Sequence, residues 1–336
     1  MNKPLVSAIV STYNSENFIR GKIEDLLNQT ISDKVEIIVV NSGSLQNEDS
    51  IIREYLSKYS NIKYIKTEKR ETIYQSWNSA IRISNGKFIT NSNTDDRLRN
   101  DAYEKLTKYL MDFPDVAMVY ADQYISDLDN QLFSEIKRLK PFNFPDYDIK
   151  YQLERCIIGS QPMWRASLHF KDNLWFDEEF EVSGDHEFEL KISHKYQIHH
   201  IKDKLGLFYK SKNRKNKEYE DSSRNLEEVR KIQQIHIPIY LNNVVEKEFD
   251  ELIKYYGKYL KFPLPILFLI KSFQGLKKYY YPKYFFHSIG YIYFFNILLM
   301  RKMNEAEKSK KIAGRFFKYK KSELILSAFN LNLKNG

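Results

Sequence analysis

Apolar and polar positions alternate in two ways along the first 126 residues. Short continuous runs rich in β-branched residues, LVSAIVST (5–12), KVEIIVVNSGS (34–44), NIKYIKTE (61–68), GKFIT (86–90) and VAMVYADQYIS (116–126), read as buried strands. Between them the apolar residues fall at helical spacing. ENFIRGKIEDLLNQT (16–30) places Ile19, Ile23, Leu26 and Leu27 on one face. DSIIREYLSKYS (49–60), TIYQSWNSAIRIS (72–84) and NDAYEKLTKYLMDFP (100–114) predict three more helices. A strict β-α-β-α order predicts an α/β fold with a mostly parallel sheet flanked by helices. Such sheets bind ligands beyond the carboxyl ends of their strands. The polar ends at 11–14, 41–44 and 91–96 are therefore expected to converge on one crevice.

After about residue 127 the pattern loosens. RLKPFNFPDYD (138–148) reads as a loop and GSQPMWRASLHF (159–170) follows it. A helix is predicted over 184–196, and HHIKDKLGLFYKS (199–211) reads as a strand pair. KSKNRKNKEYEDSS (210–223) is polar and charged and reads as a linker. Helices are expected at 224–241 and 244–260, before a basic, aromatic tail. The expected division is a domain over 1–215, with halves at about 1–126 and 127–215, and a helical region over 216–336.

Composition changes this picture in one respect. The formal net charge is +9, but Lys and Arg number 25 against 31 Asp and Glu over residues 1–200, and 28 against 13 over 201–336. This asymmetry suggests a basic appendage facing an anionic partner, with nucleic acid and an anionic membrane surface as candidates. The single cysteine, Cys156, excludes an internal disulfide and fits a reducing compartment; in its apolar run it reads as a packing residue. The apolar part of the N-terminus is too short and too polar for a signal peptide. The longest near-apolar stretch, 285–300, is interrupted by His287, Ser288 and Asn296 and falls short of a membrane span. A cytoplasmic location is expected.

The strand at 86–90 runs into NSNTDDRLRN (91–100), which places Asp95 beside Asp96. Two readings are open for adjacent like charges. One is a solvated turn that caps the next helix. The other is a divalent-cation site built of hard oxygen donors at a strand end. GxGxxG and GxxxxGK[ST] are both absent after the first strand, so a dinucleotide fingerprint and a P-loop are unsupported.

VSAIVSTYN (6–14), VEIIVVNSGS (35–44), QSWNSAIRISNGKFITNSNTDDR (75–97) and VSGDHEFELKIS (182–193) together resemble the inverting glycosyltransferases of the GT-A (Rossmann-like) fold, glycosyltransferase family 2-like, over about residues 4–210. The resemblance implies a nucleotide cradle containing Ser11 and Tyr13, with Tyr13 stacking on the base. It places Asn41 and Ser42 where the family carries acidic residues that contact the base, so the base itself is unread. Arg70 falls where relatives hold a basic residue near the nucleotide, although a solvated loop arginine is an equal alternative. The family's metal motif falls on Asn93, Thr94, Asp95 and Asp96, implying that Asp95 and Asp96 hold Mn²⁺ or Mg²⁺ on the diphosphate. Asp185, at a helix start, matches the general base, with Glu187 as runner-up; the bland role for Asp185 is a helix cap. Gln161, Trp164 and Glu187 match acceptor contacts, against a core role for Trp164 and a turn role for Gln161. His186, His194, His199 and His200 read first as structural.

The implied activity is transfer of a sugar from a nucleotide-sugar donor to a hydroxyl of a glycan or lipid-linked acceptor, in surface polysaccharide or glycoconjugate assembly. The basic, aromatic residues 259–300 suit either peripheral attachment to the cytoplasmic face of a membrane or a buried homo-oligomer contact. Two other functions compete. Asn41, Ser42 and Asn93 in place of acidic residues would fit a degenerate nucleotide- or glycan-binding protein. The basic C-terminal part would fit nucleic-acid binding, but it contains no recognisable module for it, and no nucleic-acid partner is expected.

Overall fold

In a computed structural model, residues 3–137, 139–210 and 222–256 are described. The tail over 259–300, with its membrane and oligomer readings, lies outside them. The chain divides into two compact units, Met1–Gln233 and Gln234–Gly336.

The first unit opens with the alternation that the sequence predicts: β1 (Val6–Thr12), α1 (Glu16–Leu27), β2 (Val35–Asn41), α2 (Glu48–Leu56), β3 (Ile62–Lys66), α3 (Ile73–Arg82) and β4 (Phe88–Asn91). There follow β5 (Arg97–Leu98), α4 (Ala102–Asp112), β6 (Val116–Ser126), β7 (Lys140–Phe142), α5 (Ile149–Glu154), β8 (Met163–Arg165), α6 (Ser167–Phe170), α7 (Gly184–Ser193), β9 (Gln197–Tyr209) and α8 (Ser222–Tyr256). The helix expected as two pieces at 224–241 and 244–260 is continuous from Ser222 to Tyr256. Asn242 and Asn243, which lie between the two expected pieces, lower helix propensity by only about 0.7 kcal/mol per residue at most.

Among the described residues, nine strands form one sheet in the order β3-β2-β1-β4-β8-β6-β9-β5, with β7 on β6. β1 lies parallel between β2 and β4, pairing Val6 with both Val35 and Phe88. β8 enters antiparallel between β4 and β6, pairing Trp164 with Ile89 and with Met118. The sheet is therefore mixed where strict alternation predicted a parallel neighbour. The MWR segment, to which the sequence assigns no element, is a short strand, which three residues are too few to announce. The strand pair expected at 199–211 is one 13-residue strand, β9, parallel to β6 through three register shifts. Those irregularities let a long strand twist without breaking.

The core packs the sheet against the helix stripes. Ile19, Ile23 and Leu26 of α1 and Val6, Ala8, Ile37 and Val39 of the sheet are all fully buried. Each fully buried aliphatic side chain contributes about 1.5–3 kcal/mol. α3 begins with a reciprocal capping box: the Gln75 N–H donates to Thr72 Oγ1 at 3.2 Å, and the Thr72 N–H to Gln75 Oε1 at 2.9 Å. This fixes the direction in which Tyr74, near the start of the helix, leaves the sheet edge.

Candidate active site

The carboxyl ends of β1, β2 and β4 lie side by side because the three strands are parallel neighbours. At the end of β1, the Thr12 carbonyl accepts the Ser42 N–H at 3.0 Å, which ties the first cradle segment to the second. Ser11 and Tyr13 are half-buried here, and Asn14 follows with φ of 51°. The guanidinium of Arg70 lies over the Tyr13 ring, 4.2 Å from its centroid. The structure thus brings Tyr13 and Arg70 together as a cation–π pair.

Asn41 ends β2 and Ser42 opens the turn that follows it. Both are buried, and their polar atoms are engaged by the turn and by the segments beside it. Asn41 donates from Nδ2 to the Tyr64 hydroxyl at 3.2 Å and accepts the Ser44 N–H on Oδ1 at 2.9 Å. The Ser42 hydroxyl donates to the Glu71 carbonyl at 3.0 Å and accepts the Glu71 N–H at 2.6 Å. These two residues shape the turn. Gly43 is required within it: its φ is +59°, and an added Cβ would meet the backbone of Lys69 at 2.7 Å and of Arg70 at 2.9 Å.

Asp95 and Asp96 lie between β4 and β5, so the segment is pinned at both ends. Asp96 is 1% exposed. Its Oδ1 accepts the Tyr209 N–H at 2.9 Å, and its Oδ2 accepts from Asn93 Nδ2 at 3.4 Å. Burial and the neighbouring Asp95 carboxylate push the Asp96 carboxyl up to about 7. Behind it stands a buried charge network that sequence reading missed. Arg97, also 1% exposed, donates to the carbonyls of Thr94 at 2.8 Å, Asp96 at 2.6 Å and Phe18 at 3.3 Å, and to Asn130 Oδ1. Lys22, fully buried on α1, pairs with Asp25 at 3.4 Å, and Asp25 accepts the Leu98 N–H at 3.0 Å. Burial pulls Lys22 and Arg97 below their usual ranges, and Asp25 opposes both shifts. Gly21 makes room for this network: a Cβ there would lie 2.6 Å from Arg97 Nη2 and 2.7 Å from Asn130 Oδ1.

The donor set fits a divalent cation shared with a ligand. Asp95 and Asp96 offer hard carboxylate oxygens. Among the described residues no group of three or more His, Cys, Asp or Glu could hold a metal ion alone. The remaining oxygens would come from a bound diphosphate and from water. The contacts of three histidines suit a structural reading: His186 Nε2 meets the Gln152 carbonyl, His199 meets Tyr109, and His200 lies between Asp122 and Asp146, while the His194 N–H donates to the Leu190 carbonyl at 3.2 Å.

Asp185 begins α7. Its Oδ1 accepts the His186 N–H at 2.9 Å and the Tyr74 hydroxyl at 3.2 Å. Tyr74 therefore joins α3, whose start follows the Ser42–Glu71 contact, to the start of α7. Gly184 permits this approach, since a Cβ would meet the Tyr74 ring at 2.7 Å. Burial raises the Asp185 carboxyl, while the His186 N–H and the Tyr74 hydroxyl oppose the rise. Burial also holds the Tyr74 phenol well above its usual range, so it remains a donor.

The acceptor candidates are placed unevenly. Gln161 is buried behind the carboxylate segment, donating from Nε2 to the Arg97 carbonyl at 3.4 Å, with Oε1 buried and unpartnered. Trp164 is core. It is 1% exposed, its indole N–H donates to His169 Nε2 at 2.8 Å, and its ring packs against Phe176 and Phe188. An alternating strand turns this ring inward, so it cannot present a face to a sugar. Glu187 is 2% exposed and paired with Lys191 at 2.9 Å, which leaves Asp185 as the better-placed carboxylate. Cys156, expected to pack in the core, is exposed as a residue, while its Sγ lies 3.5 Å from the buried Glu189 Oε2.

Residues 7–170 match the family described as Glycosyl transferase family 2. An uncharacterized glycosyltransferase of Methanocaldococcus jannaschii is 30% identical over 218 residues, covering 64% of this chain and 74% of that protein. The chain belongs to glycosyltransferase family 2. This family 2 glycosyltransferase is also 27% identical to a chondroitin synthase of Escherichia coli over 198 residues, spanning 59% of this chain but only 28% of the synthase. Its fold is that of S. aureus TarS 1–349, solved with UDP-GlcNAc: the TM-score is 0.58 at 15% identity, over 94% of this chain and 92% of TarS 1–349. The family match ends at 170, so Asp185 and α7 lie beyond it. The enzyme is a glycosyltransferase with a GT-A sheet. Among the described residues, no helix is long and apolar enough to cross a membrane.

Proposed function

We propose that this enzyme transfers a sugar with inversion at the anomeric carbon, with Asp185 as general base. The observation that carries the reading is the Tyr74 bond to Asp185 Oδ1, which fixes a carboxylate of α7 to a helix rising from the nucleotide edge. With both hydrogen bonds on Oδ1, Oδ2 is the oxygen that takes the proton of an acceptor hydroxyl. As the proton leaves, the acceptor oxygen bonds the anomeric carbon from the face opposite the nucleotide. The bond from that carbon to the diphosphate oxygen breaks, and its electron pair leaves with the nucleotide. The position of Asp185 at a helix N-terminus favours the ionised carboxylate that a base requires, and burial strengthens it as a base.

Ser11, Tyr13 and Arg70 would hold the nucleotide, with the turn at Asn41–Ser44 supporting them. Asp95 and Asp96, the latter hydrogen-bonded by Asn93, would hold Mg²⁺ or Mn²⁺, which would neutralise charge on the departing diphosphate. The acceptor is read as a growing glycan or a lipid-linked sugar, in keeping with relatives named chondroitin synthase and with the Bacillus subtilis protein named putative glycosyltransferase EpsH. Surface-polysaccharide assembly at the cytoplasmic face of a membrane is the setting proposed.

The test is binding and transfer across UDP-, GDP-, dTDP- and CMP-sugars, beginning with UDP-GlcNAc, with and without Mn²⁺ or Mg²⁺. One donor is expected to bind with metal dependence that Asp96→Ala removes. Asp185→Ala is expected to keep donor binding and lower the transfer rate by about 1,000-fold, the scale of a lost general base. Donor binding without transfer by the wild-type enzyme would instead mark a binding protein.

A further inference from the structure

α7 begins without a cap of its own. Ser183, its N-cap, makes no side-chain hydrogen bond to the first turn. The three N–H groups leading into the helix are nevertheless satisfied, by one residue far along the chain. Glu228 Oε1 accepts the Glu181 N–H at 2.8 Å. Glu228 Oε2 accepts the Val182 N–H at 3.0 Å and the Ser183 N–H at 2.8 Å. Glu228 lies 45 to 47 residues beyond its partners, on the first turns of α8, and is 8% exposed. Removing a buried carboxylate that takes three N–H groups leaves all three unsatisfied.

The contact is reinforced on both sides. Arg224 pairs with Glu181 at 2.8 Å, and Lys231 pairs with Glu179 at 2.7 Å. Lys231 also lies 4.9 Å from the centroid of the Phe180 ring. The start of α8 thus clamps residues 179–183, which lead directly into Gly184 and Asp185. Asp185 has its own bonds to Tyr74 and His186, but both act on the side chain or within the first turn. The backbone entering α7 is held by Glu228.

We infer that Glu228 is a positioning residue for the general base: it sets where α7 begins and so where Asp185 meets the acceptor. The inference rests on the Asp185 reading above. A base displaced by about 1 Å loses about 100-fold in rate while donor contacts elsewhere persist.

The test uses the full chain with four variants: Asp185→Ala, Glu228→Ala, Glu228→Gln and the Asp185→Ala/Glu228→Ala double variant. Donor affinity and transfer kcat are measured on each. Glu228→Ala is expected to lower kcat by about 10- to 100-fold with donor affinity within about twofold. Glu228→Gln keeps one accepting oxygen and should fall between Ala and wild type, which also covers the case in which the Ala variant folds poorly. A residue that acts through Asp185 has nothing further to remove once Asp185 is gone, so the double variant should match Asp185→Ala. Multiplying losses in the double variant, or both Glu228 variants transferring within about twofold of wild type while Asp185→Ala is impaired, would overturn the inference. Unimpaired transfer by Asp185→Ala would instead overturn the base assignment on which it rests.

Discussion

Asp96 is a buried carboxylate beside a second carboxylate, an unfavourable arrangement unless something compensates it. Lys22 and the Tyr209 N–H do so in part, yet burial and Asp95 still hold the Asp96 carboxyl up to about 7. A carboxyl whose folded pKa is raised binds more protons folded than unfolded. Its contribution to stability therefore falls as pH rises from about 4, the unfolded value, to about 7. Asp96→Asn lacks this penalty. Without added cation it should be more stable than wild type by up to about 4 kcal/mol at pH 8, with little difference at pH 4. Denaturant melts at the two pH values check this. Mn²⁺ should reverse the ranking at pH 8, because only the wild type gains cation binding. An Asn variant whose advantage over wild type is no larger at pH 8 than at pH 4 would remove the strained-carboxylate account.

At the scale of elements, the first half of the sheet is legible in sequence because each strand is a continuous apolar run and each helix a single apolar stripe. β5 and β8 are not, because two or three residues carry no periodicity, yet β5 pins the carboxylate segment and β8 turns Trp164 inward. Asp95, Asp96 and Asp185 are singled out in the sequence by motifs in the right order. Tyr74 could have been suspected from its place just inside the capped start of α3. Arg97 follows the carboxylates directly, but an arginine there reads as solvated until its burial is seen. Glu228 has no local signal, since its partners are in another element. The turn between β2 and α2 yields a prediction of its own. Gly43→Ala must give up the left-handed conformation or push against the Lys69–Arg70 backbone. It should lose about 1–2 kcal/mol of stability and weaken donor binding by about 10-fold, a tenfold change being about 1.4 kcal/mol. Both are readable by denaturant melts and donor titration.

Over the whole molecule, charge is divided more sharply than the net +9 suggests, with the excess of Lys and Arg confined to residues 201–336. An acidic catalytic part and a basic remainder suit an enzyme that works against an anionic surface. The full chain is expected to float with vesicles containing about 30% anionic lipid and to be released in about 0.5 M salt, where the screening length falls to a few ångströms. Equal flotation with purely zwitterionic vesicles would assign the attachment to apolar contact alone, and no flotation at all would end the membrane proposal.

Gly21 carries a consequence for anyone who alters this enzyme. A glycine inside a helix is ordinarily the first candidate for thermostabilisation, since alanine there is better by about 1 kcal/mol. In α1 the missing side chain is the space into which the Arg97 guanidinium reaches to brace the carboxylate segment. The helix gives up part of its own stability so that a cation can stand behind the two aspartates. A redesign guided by helix propensity alone would strengthen the scaffold and loosen the site it exists to hold.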